Sequence, residues 1–330
     1  MADHAVLILT DAADVAADRV AAELTLRGVR VVRMDAADFP ATVSMAATID
    51  SGSAWSGTLT SPNGDTVDLG DIGTVYRRRP TQFGVDERMS APEKAFAYGE
   101  ARHGFGGVLS ALEWGGCLWV NDPAAAVRAD YKPVQLAAAA AAGLTIPPTL
   151  ITSAPHAAYQ WAQDLGRPVV YKPLSGVWHA DEGRIRALYT SPVTDIADLL
   201  DPALARTAHL FQERVAEQFE ARAVVVGSDV FTVRIDAAGE EARTDWRRDY
   251  DALTYTRITL PDEVASALVE LHARLGLVYG AADLICDHTG NWVFLETNQS
   301  GEWAWLAEET GIPVAERLAD LMEAGPAWTR

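Results

Sequence analysis

Apolar and polar positions divide the chain into readable elements from its first residues. Ala5–Leu9 (AVLIL) is an unbroken apolar run, the pattern of a strand buried on both faces. Asp14–Arg27 follows with Val15, Val20 and Leu24 at helical spacing, and Gly28 supplies a stop. Val29–Met34 reads as a second strand, so the chain opens as a βαβ unit of the α/β class. Thr48–Gly70 has alternating segments and the turn pair Asn63-Gly64, which predicts short antiparallel strands at the edge of a domain. Ile72–Tyr76 is another buried strand, Ala91–Trp114 a long helix and Cys117–Val120 a short strand.

A new section starts at Asn121-Asp122-Pro123, where Asp122 is a good N-cap and Pro123 suits the first helical position. The next helix, Ala129–Ala142, has Lys132 at its entrance, Pro133 in its first turn, an alanine run of strong helix formers and Gly143 as its end. Pro168–Lys172 and Leu210–Val215 read as strands. Glu220-Ala221-Arg222 leads into a hairpin that turns at Gly227-Ser228-Asp229. Asp245–Tyr250 is a charged aromatic loop, Pro261–Leu277 an amphipathic helix ending at Gly276, and Ile312–Met322 the terminal helix. The main boundary falls near residue 120, which gives an expected organisation of 1–120, 121–208 and 209–330.

Composition narrows the function. A chain of 330 residues has room for two or three domains, and 49% hydrophobic residues can fill their cores. A net charge of −19 argues against general binding to nucleic acid or to an anionic membrane, so any phosphate site must be a local placement of Lys or Arg. Two cysteines, Cys117 and Cys286, give neither a disulfide framework nor a metal spacing, and both lie in apolar runs where inert core thiols are expected. The N-terminus lacks the basic region of a signal peptide, its apolar run is too short for one, and no stretch is long and apolar enough to span a bilayer, so a cytoplasmic setting is expected. No glycine-rich dinucleotide fingerprint, Walker A sequence or HExxH spacing occurs.

The chemistry concentrates in Gly280–Trp305, GAADLICDHTGNWVFLETNQSGEWAW. Thr289-Gly290 reads as a two-residue hairpin loop. Closing the hairpin there sets Asp283 opposite Glu296, and strand alternation puts Asp283, Glu296 and Asn298 on one face. Two carboxylates and an amide in that arrangement suit Mg2+, which is usually held by one or two carboxylates plus substrate phosphates. A polar, solvent-facing hairpin is the alternative. Lys172, ending a strand before Pro173-Leu174-Ser175-Gly176, can set a cation and backbone N–H groups around phosphates. Arg77-Arg78-Arg79 either holds an anion or pairs with surplus carboxylates at a domain interface, and the second reading is preferred. Trp303 and Trp305 either line a substrate groove or pack as core against the last helix; His179 is read as a loop histidine.

Taken in order, Lys132, Lys172 with its loop, QERV, Glu220 and the Asp283/Glu296/Asn298 trio resemble the ATP-grasp ligases, over roughly residues 121–322. The phrases YRRRP, VVYKPLSG and FLETNQSGEW look like the subgroup that makes graspetides, the microviridin-type ester- and amide-crosslinked peptides. The resemblance implies an ATP-grasp fold behind an N-terminal pre-ATP-grasp α/β domain, ATP and Mg2+ as cofactors, and a homodimer. It implies phosphate contacts from Lys132, Lys172 and the Ser175-Gly176 loop, and adenine binding at the Gln212, Glu213, Arg214 and Val215 segment through the backbone of Glu213 and Val215. Glu220 would hold the ribose, and Asp283, Glu296 and Asn298 the metal. Many relatives carry an arginine shortly before the first metal aspartate, where this chain has Gly280-Ala281-Ala282; Arg222, Arg234 and Arg247 are the substitutes in view. The partner implied is a ribosomal precursor peptide whose Asp or Glu side chains are activated and joined to Thr or Ser hydroxyls or to Lys amines. Another ATP-grasp carboxylate–amine ligase, and a nucleotide-binding scaffold without turnover, are the competing expectations.

Overall fold

The AVLIL run becomes the inner strand of a parallel sheet, and its side chains alternate between two separate cores. The computed structural model describes residues 4–51, 54–175, 178–181, 184–187, 190–237 and 253–328, of which 178–181, 184–187 and 237 are described by backbone alone. The N-terminal part runs β1 (Ala5–Leu9), α1 (Val15–Leu26), β2 (Arg30–Met34), β3 (Ser44–Thr48), β4 (Ser56–Thr60), β5 (Thr66–Asp68), β6 (Ile72–Arg77), α2 (Ala91–Ala111) and β7 (Leu118–Val120). Next come α3 (Pro123–Ala129), α4 (Lys132–Ala141), β8 (Thr149–Thr152), α5 (Pro155–Leu165), β9 (Val169–Lys172), β10 (Trp178–Asp181), β11 (Arg184–Ala187), β12 (Ser191–Val193) and β13 (His209–Glu213). The chain closes with β14 (Glu217–Val226), β15 (Asp229–Ala237), β16 (Leu253–Ile258), α6 (Asp262–Leu275), β17 (Tyr279–Asp287), β18 (Trp292–Asn298), α7 (Ala304–Thr310) and α8 (Val314–Ala324).

Among the described residues the expected elements are present, with ends shifted by up to three residues and β3 lying just before the stretch expected to hold the edge strands; β8, α5, β10, β11, β12, β16 and α7 are additions, and the Asp245–Tyr250 loop lies outside the described residues. The architecture is the mixed α/β one expected. Strands β2-β1-β6-β7 form the parallel sheet and β3-β4-β5 the antiparallel edge unit. A four-stranded sheet, β12-β9-β13-β8, makes a central lobe, and a five-stranded antiparallel sheet, β16-β15-β14-β17-β18, carries the site.

Packing ties the two ends of the chain together. Val6 and Ile8 face α1, which packs on α8, and α8 in turn covers Val224 and Val226 of β14 and Tyr279 and Ala281 of β17. Leu7, Leu9 and Val75 face the other way, against Phe105, Val108 and Leu109 of α2. The far face of the five-stranded sheet is sealed by α4 and α6 through Ala139, Leu268 and Leu271 against Ala223, Ala282 and Phe294. One end of the sheet's near face is thus buried under α1, α7 and α8, and side chains that continue along that face beyond this cover are the ones available for chemistry.

Candidate active site

The hairpin places Asp283 opposite Glu296, but not by the route the sequence suggests. The turn has three residues, His288, Thr289 and Gly290, rather than two: Asp287 N–H donates to the Asn291 carbonyl at 3.0 Å, and Gly290 takes φ +86°. This is the three-residue hairpin loop with glycine in the left-handed position. Asp287 accepts from the backbone and side chains of Thr289 and Asn291, which lowers its pKa to about 2. Cross-strand pairs then run Cys286–Trp292, Ile285–Val293 and Leu284–Phe294, and a bulge at Leu295 shifts the register so that Asp283 meets Glu296 and Ala281 meets Asn298. Without the bulge Leu295 would face Asp283, and Glu296 would lie opposite Ala282, on the face covered by α4 and α6. The longer turn and the bulge offset one another, so the simpler two-residue reading reached the right pairing.

Asp283, Glu296 and Asn298 share one face with Arg222 and Glu220 of β14, since Arg222 pairs with Asp283 across the ladder. Arg222 grips Asp283 with both prongs, Nε to Oδ1 at 2.9 Å and Nη2 to Oδ2 at 3.0 Å, and both side chains are buried. Its Nη1 donates to the Glu302 carbonyl, and its guanidinium lies 5.5 Å from the Trp305 ring. Lys132, at the start of α4, pairs with Glu296. Two carboxylates that would repel across the hairpin are therefore each matched by a cation. Asn298 Oδ1 accepts from Ser300 N–H at 3.0 Å and, as an amide oxygen, retains a second lone pair. The donor set of two carboxylates and an amide oxygen fits Mg2+.

An arginine at position 281 is excluded by packing. Ala281 is fully buried, and the loop after β18 lies so close that a Cβ on Gly301 would stand 2.4 Å from the Ala281 Cβ. Arg222 reaches the same place from the neighbouring strand. Arg234 is withdrawn as a candidate: it pairs with Ala221 across β14–β15, hence projects from the opposite face, and there it binds Asp236 and lies 4.1 Å from the Phe219 ring. Arg247 and Gly176 lie outside the described residues, as does the side chain of His179.

In the central lobe Lys172 ends β9, half-buried, on the same face as Gln212 and Leu210 of β13; Ser175 is exposed beyond it. Gln212 is buried and donates to Thr149 Oγ1 at 2.9 Å. The Glu213 side chain faces the other way and takes both its bonds from Arg167, and Arg214 and Val215 follow as the strand leaves the sheet. The backbone here has an unusual feature. Glu213 N–H donates to the Pro148 carbonyl at 2.9 Å and Arg214 N–H to the Pro168 carbonyl at 2.8 Å. In an antiparallel ladder such pairs exchange two bonds, but proline has no N–H to return. The Glu213 and Arg214 carbonyls are left without a ladder donor where the two lobes join.

The arginine triplet is an interface device, as preferred from the sequence. Arg78 is buried, with Nε 2.9 Å from Asp14 and Nη2 2.6 Å from Glu302, and it donates to the Ser300 and Gly301 carbonyls. Arg79 also reaches Glu302. Trp303 is fully buried and Trp305 half-buried, so the core reading fits Trp303. Burial pushes the Cys117 thiol up to about 12 and raises Cys286 as well, which leaves neither as a ready nucleophile.

Sequence reasoning missed the side chains that hold the hairpin in place. Asn121 is buried; its Oδ1 accepts from Val278 N–H and Tyr279 N–H, and its Nδ2 donates to the Tyr279 and Gln299 carbonyls. Gln135 and His272 both bind Thr297. The available signal was Gln135 as the last polar residue before an alanine run, on the buried side of its helix; nothing in the sequence marks Asn121.

Residues 5–126 match the MvdD pre-ATP grasp domain family. A RiPP-associated ATP-grasp ligase from Chryseobacterium gregarium, solved with ADP and a leader and core peptide, superposes with a TM-score of 0.87 at 29% identity, covering 97% of this chain and 96% of that one. The macrocyclase MdnC from Microcystis aeruginosa MRC, solved with the precursor peptide MdnA, gives 0.81 at 26% identity, covering 96% and 99%. MdnB from the same source gives 0.79 at 27%, covering 97% and 99%. Comparison with curated protein sequences finds no match. The chain has the ATP-grasp fold behind a pre-ATP-grasp domain, and it is an ATP-dependent ligase. Among such ligases its likeness is to those that mature ribosomally made peptides, the graspetide type.

Proposed function

We propose that the protein is a peptide macrocyclase that joins Asp or Glu side chains of a ribosomal precursor peptide to Thr or Ser hydroxyls, or to Lys amines, of the same peptide. The observation that carries this reading is the likeness along nearly the whole chain to a ligase solved with ADP, leader and core peptide. The shared face of Glu220, Arg222, Asp283, Glu296 and Asn298, with Lys132 against it, supports it independently.

A carboxylate is a poor acyl donor because its leaving group would be an oxide. The peptide carboxylate attacks the γ-phosphorus of ATP, and ADP leaves. A hydroxyl or amine then attacks the carbonyl carbon of the acyl phosphate and gives up its proton as inorganic phosphate departs. Asp283, Glu296 and Asn298 would hold Mg2+, whose role is to neutralise charge on the transferring phosphoryl group. Lys132 and Lys172 would bind phosphates, with Ser175 and Gly176 closing over them. The Glu213 carbonyl, unmatched by Pro148, would accept from the adenine amino group, and Glu220 would bind the ribose. Arg222 would face the acyl phosphate and its oxyanion from beside the metal carboxylates. Both reacting side chains lie in one peptide, which supplies much of the proximity effect. Residues 1–120, 121–208 and 209–330 serve as pre-ATP-grasp domain, central lobe and metal-bearing lobe. The chain works in the cytoplasm as a homodimer.

The test is to incubate the protein with ATP, Mg2+ and a leader–core peptide containing Thr and Asp or Glu. The expected product has lost one water per crosslink and is absent without ATP. Glu296→Ala and Lys172→Ala should each reduce this by at least ~100-fold, the scale on which electrostatic stabilisation of a transition state acts. Full activity in Glu296→Ala would overturn the metal assignment, and ADP release triggered by free amino acids but not by peptide would overturn the substrate class.

A further inference from the structure

Strand β18 carries two of the three metal-facing side chains, and it is an edge strand. Among the described residues no further strand pairs with its outward edge, where Phe294 N–H donates to the Thr145 carbonyl at 2.8 Å on the turn side of the bulge. Its register is also not fixed by the turn, because the Leu295 bulge intervenes between the turn and Glu296. A slip of one residue would move Glu296 and Asn298 to the opposite face. Some other contact must make the observed register the preferred one.

That contact comes from α4. Gln135, 4% exposed, behaves as a one-residue strand against this edge. Its Oε1 accepts from Thr297 N–H at 2.9 Å and its Nε2 donates to the Thr297 carbonyl at 2.8 Å. Nε2 also donates to the Ala129 carbonyl at 2.6 Å, which anchors the amide to the end of α3. From α6, His272 Nε2 lies 3.0 Å from Thr297 Oγ1, and its Nδ1 lies 2.7 Å from the Leu268 carbonyl. Thr297 thus has its backbone and its side chain held from two different helices. Thr297 is the residue between Glu296 and Asn298. Gln135, moreover, lies one helical turn beyond Lys132, whose ammonium pairs with Glu296. A single rigid turn of α4 therefore presents the lysine to the carboxylate and clamps the backbone of the next residue.

We propose that Gln135 is a positioning residue for the metal site: by pairing with Thr297 it selects the register that turns Glu296 and Asn298 toward the nucleotide, and it fixes their distance from Lys132. This rests on the Mg2+ assignment made above. His272 supports it by closing off rotation of the Thr297 side chain.

The probe is ADP binding measured by calorimetry, with EDTA and then across a series of Mg2+ concentrations, alongside thermal unfolding. Gln135→Met removes both bonds to Thr297 at similar volume. Its ADP affinity in EDTA should match the parent protein, while the Mg2+ needed for half of the Mg2+-dependent gain should rise by roughly tenfold or more, the usual effect of losing a partner that orients metal ligands. Gln135→Glu keeps the acceptor for Thr297 N–H and loses the donor, so it should show a smaller rise; it carries the test if the Met variant fails to fold. A fall in melting temperature with an unchanged Mg2+ midpoint in these variants would overturn the proposal and leave Gln135 as a structural residue. Glu296→Gln separates the two levels: if it too leaves the Mg2+ midpoint unchanged, the metal assignment itself is wrong, whereas a shift there without one in the Gln135 variants refutes only the role of Gln135.

Discussion

At the scale of single residues, the site depends on how closely small side chains let backbones approach. Gly301 and Ala281 are the sharpest case. Adding a Cβ at Gly301 drives it against the Ala281 Cβ, a group with no freedom to swing away, and the Gly301 carbonyl also accepts from Arg78 and from the Tyr279 hydroxyl. Gly301→Ala should cost about 1–3 kcal/mol, the usual range for overpacking a tight contact, and should be visible in chemical denaturation. The same residue pair explains why position 281, shortly before Asp283, does not carry an arginine. The sequence showed only that it was absent. The reason needed the structure, because Gly301 and Ala281 are brought together by the fold, and Arg222 reaches Asp283 from a strand some sixty positions earlier.

At the scale of elements, local pattern carried most of the information. Strand β1, helices α1, α4 and α6, and the two terminal hairpins were legible because burial imposes its period directly on the sequence. The face shared by Asp283, Glu296 and Asn298 was legible for the same reason. What was not legible was the path between the strands. A turn of three residues and a bulge at Leu295 leave no compositional trace, since Leu295 would suit either face of a half-buried strand. The clamps on β18 were hidden for a different reason: a buried Asn or Gln is distinguished from an exposed one by its surroundings alone. Asn121 and Gln135 satisfy backbone groups of the final hairpin from 157 and 162 positions away in sequence.

At the scale of the whole molecule, α1, α8 and the five-stranded sheet share one core, so the N-terminal domain is part of the support of the sheet that carries Asp283 and Glu296. Asp14 and Arg78 sit at that junction. Asp14 caps α1 and accepts from Thr10 Oγ1 and Arg78. Burial alone would raise its pKa; Arg78 and the hydrogen bonds outweigh this and hold it below the usual carboxylate value. A carboxyl whose folded pKa is depressed stabilises the fold above its unfolded pKa, here about 3.9, and that contribution is lost as the pH falls through the folded value. Melting temperatures between pH 7 and pH 3 should therefore fall more steeply in the parent than in Asp14→Asn. At pH 7 the substitution should itself cost about 3 kcal/mol, because Arg78 stays buried with half its charge partners gone. The triple arginine was read from sequence as pairing with surplus carboxylates; that Arg78 spans from the first helix to the loop after the last strand was beyond what one sequence can disclose.

The prolines beside the hinge have a consequence for nucleotide choice. If the purine is recognised by the Glu213 carbonyl, then discrimination between ATP and GTP lies in a missing donor on the opposite strand, at Pro148, and not in any side chain that could be exchanged at 213 or 214. Pro148→Ala would restore an N–H aimed at that carbonyl. The base amino group would then compete with the protein's own ladder for one acceptor. The expected outcome is a several-fold higher KM for ATP, corresponding to the roughly 0.5–1.5 kcal/mol net value of one hydrogen bond. Glu213→Gln, by contrast, should leave the preference between the two nucleotides unchanged. Selectivity written into an absent proton is hard to alter by substituting the residues that line the pocket, and engineering this enzyme toward another nucleotide would have to begin one strand away from the base.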